Sequence, residues 1–237
     1  MIKALWFGRI SYLEGLRIQE SVYEKVKNAG KPCHYLCLFE HPPTYTVGLR
    51  EKEYSAEEEC RLKKFGAEFH RVKRGGLITF HGPGQIVGYP IFNLRDLRPP
   101  GETFAGVKKF VTLIEEVLID LISTRYGVKN IGRTHDTGVW VDGHRKIAAI
   151  GIQVRHGITS HGFALNCNTD LKWFQQIIPC GLEGKSATTM TKELGKTISI
   201  EDVMEPLCDE IRHKFTLPVE LNNLSDEFSL ATEYYTH

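Results

Sequence analysis

Cys180 stands between Pro179 and Gly181, a setting that cannot lie inside a regular helix and that presents a thiol on a loop. Far upstream, Arg74-Gly75-Gly76-Leu77-Ile78-Thr79-Phe80-His81-Gly82-Pro83-Gly84-Gln85 concentrates glycine where backbone must approach something closely. Its Arg, Thr, His and Gln can orient or polarise a bound group. A presented thiol and a glycine-rich polar loop together suggest acyl transfer through a thioester.

The chain that must position these residues has 237 amino acids, enough for a substantial core, and reads as one domain over 1–237. Its 41% hydrophobic and 25% charged content is ordinary for a globular protein, and no apolar run reaches the length of a membrane span. A net charge of +1 gives no global pull on nucleic acid. Lys63, Lys64, His70, Arg71, Lys73 and Arg74 crowd one stretch, readable as an acidic partner's site or as a solvated charged edge. The six cysteines are irregularly spaced, which favours reduced thiols over a disulfide scaffold, and Cys37 and Cys167 lie in apolar runs as core thiols. Cys33 and Cys37 lack a matching downstream pair, so a zinc site is not expected. Lys3, Arg9 and a first acid only at Glu14 hint at an organellar targeting end, yet Ser11 to Glu14 already reads as a helix start.

Ser11 with Glu14 forms a capping-box pattern ahead of Leu16, Val22 and Val26, with Gly30 beyond the end. Strands are predicted at His34 to Phe39 and Thr44 to Val47, broken by His41-Pro42-Pro43. Ser55 with Glu58 repeats the capping box for a short helix stopping near Gly66. Strands and turns follow over 68–92, then the longest helix, with Val107, Val111, Ile114, Val117 or Leu118, and Leu121 at helical spacing. Asp142-Gly143 suits a hairpin turn between Val139-Trp140-Val141 and Ile147 to Val154, with Lys146 starting the return strand. Ile158 to Asn166 completes a three-stranded antiparallel meander. A last helix opens at Ser199 and Asp202, and the polar tail 218–237 is expected to fray. The fold class is α+β with mixed or antiparallel sheets and surrounding helices.

Gly184-Lys185-Ser186 fails as a phosphate loop because position 179 is Pro where that motif needs Gly, and no dinucleotide fingerprint is present. The run Arg74-Gly-Gly-x-x-Thr79-Phe-His81-Gly-Pro-Gly-Gln85-x-x-x-Tyr89 closely resembles the signature of the lipoyl(octanoyl) transferases, the LipB family. His41-Pro-Pro-x-Tyr45-Thr46-x-Gly48, Gly143-x-Arg145-Lys146-Ile147-Ala148-x-Ile150-Gly151, Ser160-His161-Gly162-x-Ala164-Leu165-Asn166 and Ile178-Pro179-Cys180-Gly181 agree in order. The resemblance covers about residues 5–215, and Cys167 after Asn166 with Thr169-Asp170-Leu171 is similar to the animal, mitochondrial branch.

That resemblance implies a catalytic module similar to that of the biotin and lipoate protein ligases. It implies transfer of an octanoyl group from octanoyl-acyl carrier protein to Cys180, the nucleophile, and then to a lysine of a lipoyl domain, with Lys146 carrying the protons. The acceptors would be E2 subunits of 2-oxoacid dehydrogenases and the glycine cleavage H protein. No ATP or metal cofactor is expected, and the chain would be a mitochondrial monomer; the bacterial cytoplasm is the alternative location. In the family's pattern Arg74, Gly75, Gly76, Thr79, His81, Gly82, Gly84, Gln85, Ala148, Ile150, Gly151, Ser160, His161, Gly162 and Ala164 bind substrate. Glycine there would leave room for the acyl chain. His81 and His161 read equally as participants or as hydrogen-bonded scaffold, and Arg74 as a phosphate ligand or a partner of a carboxylate. Asp170 reads as a loop-fixing residue, and Arg145 and Lys185 compete for the role of Lys146. The rival readings are an ATP-dependent lipoate or biotin-type ligase and a noncatalytic acyl-carrier-binding module.

Overall fold

In the computed structural model, which describes residues 1–49, 54–97, 106–177 and 184–224, local signals and strand pairing agree over most of the chain. In order come β1 (Ile2–Arg9), α1 (Tyr12–Asn28), β2 (His34–Glu40), β3 (Thr44–Val47), α2 (Ala56–Lys64), β4 (Glu68–Arg71), β5 (Thr79–His81) and β6 (Gln85–Ile91). Then follow α3 (Val107–Asp120), β7 (Ile131–Gly132), β8 (Val139–Val141), β9 (Arg145–Arg155), β10 (Ile158–Asn166), β11 (Ser186–Ala187), α4 (Met190–Leu194), α5 (Ile200–Phe215) and β12 (Val219–Asn223). Ser11, Ser55 and Ser199 cap α1, α2 and α5 through their hydroxyls, and at Ser199 the box is reciprocal with Asp202. At the β8–β9 turn both Asp142 and Gly143 adopt positive φ, 51° and 73°. That handedness matches the twist of the flanking strands.

The described strands form a large mixed sheet, ordered β12-β1-β2-β6-β10-β9-β8-β7 with β11 on β9, and a small sheet ordered β4-β3-β5. The architecture is α+β, with helices around mixed sheets. The central strands are buried on both faces. Ala4 and Trp6 of β1, Leu36 and Leu38 of β2, and Phe163 and Leu165 of β10 face α3 and α5. Leu5, Phe7, Cys37, Phe39, Val87, Tyr89 and Ala164 face α1. The small sheet has its own core of Tyr45, Val47, Phe69, Ile78 and Phe80.

Three expectations change. Ile2–Arg9, read from sequence only for its charges, is strand β1, because Ile2 and Ala4 are fully buried. Val219–Asn223, assigned to the fraying tail, pairs in parallel with β1. The α-helical part of α3 is shorter than α1 and continues as a π-helical turn over Leu121–Arg125. That turn brings Tyr126 beside α5, where Pro206 sits inside the helix. Proline has no N–H for the carbonyl four residues earlier, Asp202 O. The Tyr126 hydroxyl donates to that same carbonyl at 2.5 Å. Replacing Tyr126 with Phe is expected to lower stability by about 1 kcal/mol in urea unfolding, because the freed carbonyl loses its substitute donor.

Candidate active site

Lys146 owes its position to a bulge. Val139 pairs with Ala148 but Trp140 pairs with Lys146, so β9 carries one extra residue against β8. Ile147 and Ala148 both enter the core under α3 and α5. Lys146 and Ala149, which strict alternation would put on opposite faces, both line a cavity on the α1 face. The ammonium is largely buried, at 7% exposure. It donates to Thr137 O at 3.3 Å and lies 4.6 Å from the Trp140 ring centroid. Gly138 is required beside it: its φ is 129°, and a Cβ there would lie 2.7 Å from Ala148 O and 3.3 Å from Lys146 Cε.

The competitors of Lys146 are occupied elsewhere. Arg145 is held by Glu193 and Asp142 at 2.5 and 2.6 Å. Lys185 pairs with Asp136 at 2.7 Å on the same indole, and this ammonium, with Lys146 adding to it, holds the Asp136 carboxyl below its usual range.

The cavity is a cleft with about 470 Å³ of unfilled space, counting the solvent at its open mouth. Lys146 is at one end, and Arg74, Gly76, Thr79, His81, Ile150, Gly151, His161, Gly162 and Ala164 line it among the expected residues. Gln85 lines a connected pocket that also reaches Lys146, and Gly75 lines a third. Leu77, Val87 and Ala149 supply apolar wall that the sequence motif did not single out, as do Tyr12 and Tyr89 at the far end. Ala149 was hidden because only the bulge brings it to this face.

Four expected residues line none of these three pockets. Ala148 belongs to the opposite core. Ser160 is fully buried and donates to Gln153 at 3.4 Å. Gly82 and Gly84 form the turn before β6, where Gly84 N donates to Glu40 at 2.8 Å and Gly84 O accepts from Asn168 N at 2.8 Å. The glycines also serve a different end from the one expected. A Cβ on Gly151 would come within 2.8 Å of Gly75 O, and one on Gly162 would strike Gly88 O, so the missing side chains make room for neighbouring backbone.

The polar side of the cavity is a chain of hydrogen bonds. Arg74 donates to Thr46 O and Oγ1 at 2.7 and 2.8 Å and to Gly75 O at 2.8 Å. Gln85 Nε2 donates to Phe80 O and Asn166 Oδ1, which turns its Oε1 towards His81 Nδ1 at 2.9 Å. Nδ1 therefore carries the proton, and Nε2 accepts from Thr46 at 3.2 Å. His81 is scaffold, with no N–H left to donate elsewhere. Asn166 continues the chain to Thr188 O at 3.0 Å. Asp170 caps the turn Leu171–Gln176, as expected.

Cys180 lies outside the described residues. Its downstream flank is placed: Ala187 pairs with Lys146 in parallel, and Thr188 N donates to Lys146 O at 2.9 Å. Of the remaining cysteines, Cys37 and Cys167 are fully buried core thiols, and burial pushes Cys167 up to about 12. Within the basic stretch, Lys63 and Arg71 pair with Glu59 and His70 with Glu68, while Arg74 is buried.

A family model described as the lipoyl protein ligase A/B catalytic domain matches residues 11–212. Octanoyl-[acyl-carrier-protein]:protein N-octanoyltransferase, mitochondrial, of Xenopus tropicalis is 46% identical over 206 residues, covering 85% of this chain and 82% of its own. The chain belongs to the lipoyl(octanoyl) transferase family. The protein of the same description from Danio rerio is 42% identical over 222 residues, 93% of this chain and 95% of its own. The chain is thus an acyltransferase. Lipoate-protein ligase A bound with ATP superposes with a TM-score of 0.73 at 17% identity, over 99% of this chain and 94% of that one, a likeness of fold.

Burial keeps three histidines around this site neutral. It pushes His81 and His161 down to about 3, helped in both by the Arg74 charge, and His41 to about 4. Unfolded imidazoles take up protons near 6.5, so between 6.5 and these values the unfolded chain binds more protons than the folded one. Stability is fully present above 6.5 and declines as pH falls, by up to about 1.4 kcal/mol per pH unit for each histidine. Urea midpoints measured from pH 7.5 to 4.5 should fall accordingly, and His81→Gln should flatten that slope by about one histidine's share.

Proposed function

We propose that the chain takes an octanoyl group from octanoyl-acyl carrier protein, holds it as a thioester on Cys180, and passes it to a lysine of a lipoyl domain. The observation that carries this reading is Lys146, buried at the end of an apolar-floored cavity and paired through β11 with the chain returning from Cys180. Seven residues separate Cys180 from Ala187, which bounds their distance at about 25 Å at full chain extension. The reading therefore asks the intervening chain only to fold back towards its anchored end.

In the first step the Cys180 sulfur attacks the donor thioester carbonyl while Lys146 accepts the thiol proton. The tetrahedral intermediate collapses, the carrier's pantetheine sulfur leaves, and Lys146 returns the proton to it. In the second step the acceptor lysine, deprotonated by Lys146, attacks the acyl-enzyme, and Cys180 leaves as a thiol. Exchange of thioester for thioester is nearly balanced in energy, and the amide product is far more stable, so no step calls on ATP. Oxyanion donors in this mechanism are the N–H groups of Cys180 or Gly181 with Lys146; His81 drops out because its only N–H is held by Gln85. Leu77 and Val87 supply apolar surface for the alkyl chain. The names of the animal relatives support a mitochondrial setting. The acceptors in this reading are lipoyl domains of E2 subunits and the glycine cleavage H protein.

Intact-mass measurement after mixing with octanoyl-acyl carrier protein should find a hydroxylamine-labile octanoyl adduct on Cys180 that moves to an added apo lipoyl domain. Cys180→Ser should form no such thioester, and Lys146→Ala should slow transfer by about 10²–10⁴-fold. Transfer from free octanoate that needs ATP and survives Cys180→Ala would instead identify a ligase.

A further inference from the structure

A second cavity, largely open to solvent, lies beneath α1 on the far side of the site from Lys146. Leu16 and Val72 give it apolar wall, and Arg71, Lys73 and Arg155 give it basic groups. His161 lines both this cavity and the acyl cavity. By alternation its side chain belongs with Phe163 and Leu165, on the face towards α3 and α5. A left-handed φ of 54° coincides with its departure from that pattern. Its ring meets Tyr89 edge-to-face, with centroids 5.8 Å apart, on the α1 side. Its backbone N–H donates to Gln19 Oε1, from α1, at 2.6 Å. Arg74 acts on it from the acyl side and Arg155 from the outer side.

His81 is locked at both ring nitrogens, but His161 Nδ1 is buried without a hydrogen-bond partner among the described residues. The residue is only 5% exposed. The ring therefore acts through its volume. In register, His161 faces Ile152 of β9, six residues beyond Lys146, a Cα-to-Cα span of at most roughly 20 Å that the bulge at Ile147 and the two side chains lining the cavity shorten. A chain laid from Lys146 past Ala149 and Gly151 ends at this imidazole.

We propose that His161 is the end wall of the acyl cavity and sets the longest acyl chain the enzyme accepts, by closing it off from the cavity beneath α1. The inference rests on the acyl-transfer reading and deepens it. A chain longer than the wall allows must displace a buried ring; with the ring gone, the added methylenes run on past Leu16 and Val72.

The test compares octanoyl-, decanoyl- and dodecanoyl-acyl carrier protein as donors, with product read by the mass of the lipoyl domain. His161→Gly, at a position whose φ suits glycine, should raise the dodecanoyl-to-octanoyl ratio of kcat/KM by about 10-fold or more. Adding Leu16→Trp, which refills the outer cavity, should reverse most of that gain. His161→Asn, shorter than His and tolerant of the same φ, should shift the ratio in the same direction and covers a glycine variant that fails to fold. An unchanged ratio in a folded variant that still transfers octanoyl groups overturns the end wall. Absence of octanoyl transfer by the unsubstituted chain overturns the acyl-transfer reading and the wall with it.

Discussion

The hydrogen-bond chain Arg74–Thr46–His81–Gln85–Asn166 ties the small sheet to the large one. Thr46 and His81 belong to β3 and β5, Gln85 and Asn166 to β6 and β10, and Asn166 reaches the carbonyl of Thr188 just after β11. Each link is buried, so losing a partner would strand a polar group away from water, at a cost larger than the worth of a typical hydrogen bond. The glycine-rich run, whose polar side chains suggest direct chemistry, thereby becomes the suture that holds the cavity's walls at a fixed separation.

That suture also explains the protonation states nearby. Both imidazoles are buried beside the Arg74 guanidinium, and burial first, then that charge, disfavours a further positive charge on either ring. Two histidines that would switch near neutral pH in water are held neutral instead. Lys146, at one end of the cavity, is seated between a carbonyl and an indole face.

Two local departures from regular strand geometry shape the cavity's ends. The bulge at Ile147 turns Lys146 and Ala149 to the same side, and the left-handed backbone at His161 coincides with a ring that faces away from its strand neighbours. Between them the floor is Ala149, Gly151, Gly162 and Ala164, paired across β9 and β10. These small residues let the backbone of the glycine-rich loop press close, as the contact expected between a Cβ on Gly151 and Gly75 O shows.

Much of the fold was legible because its signals are local. Ser11, Ser55 and Ser199 announce helix starts through bonds three residues long, Asp142-Gly143 announces a hairpin by the φ values it tolerates, and the extent of β10 follows from its apolar run and flanking turn. The family was likewise readable in the order of the motifs. Strand β1 and the closing strand β12 were not, because a strand at Ile2–Arg9 or Val219–Asn223 is decided by partners far away in the chain. Which motif residues face the cavity was also hidden: alternation assigns Ala148 and Lys146 one face, and only the pairing of β9 with β8 inserts the extra residue that separates them. The sequence by itself determined the chemistry on offer, since side-chain type and spacing along the chain are enough for that. The tertiary structure alone decided which groups are spent on scaffold and which stay in the cavity, because hydrogen-bond partners and strand register are properties of residues brought together from distant positions.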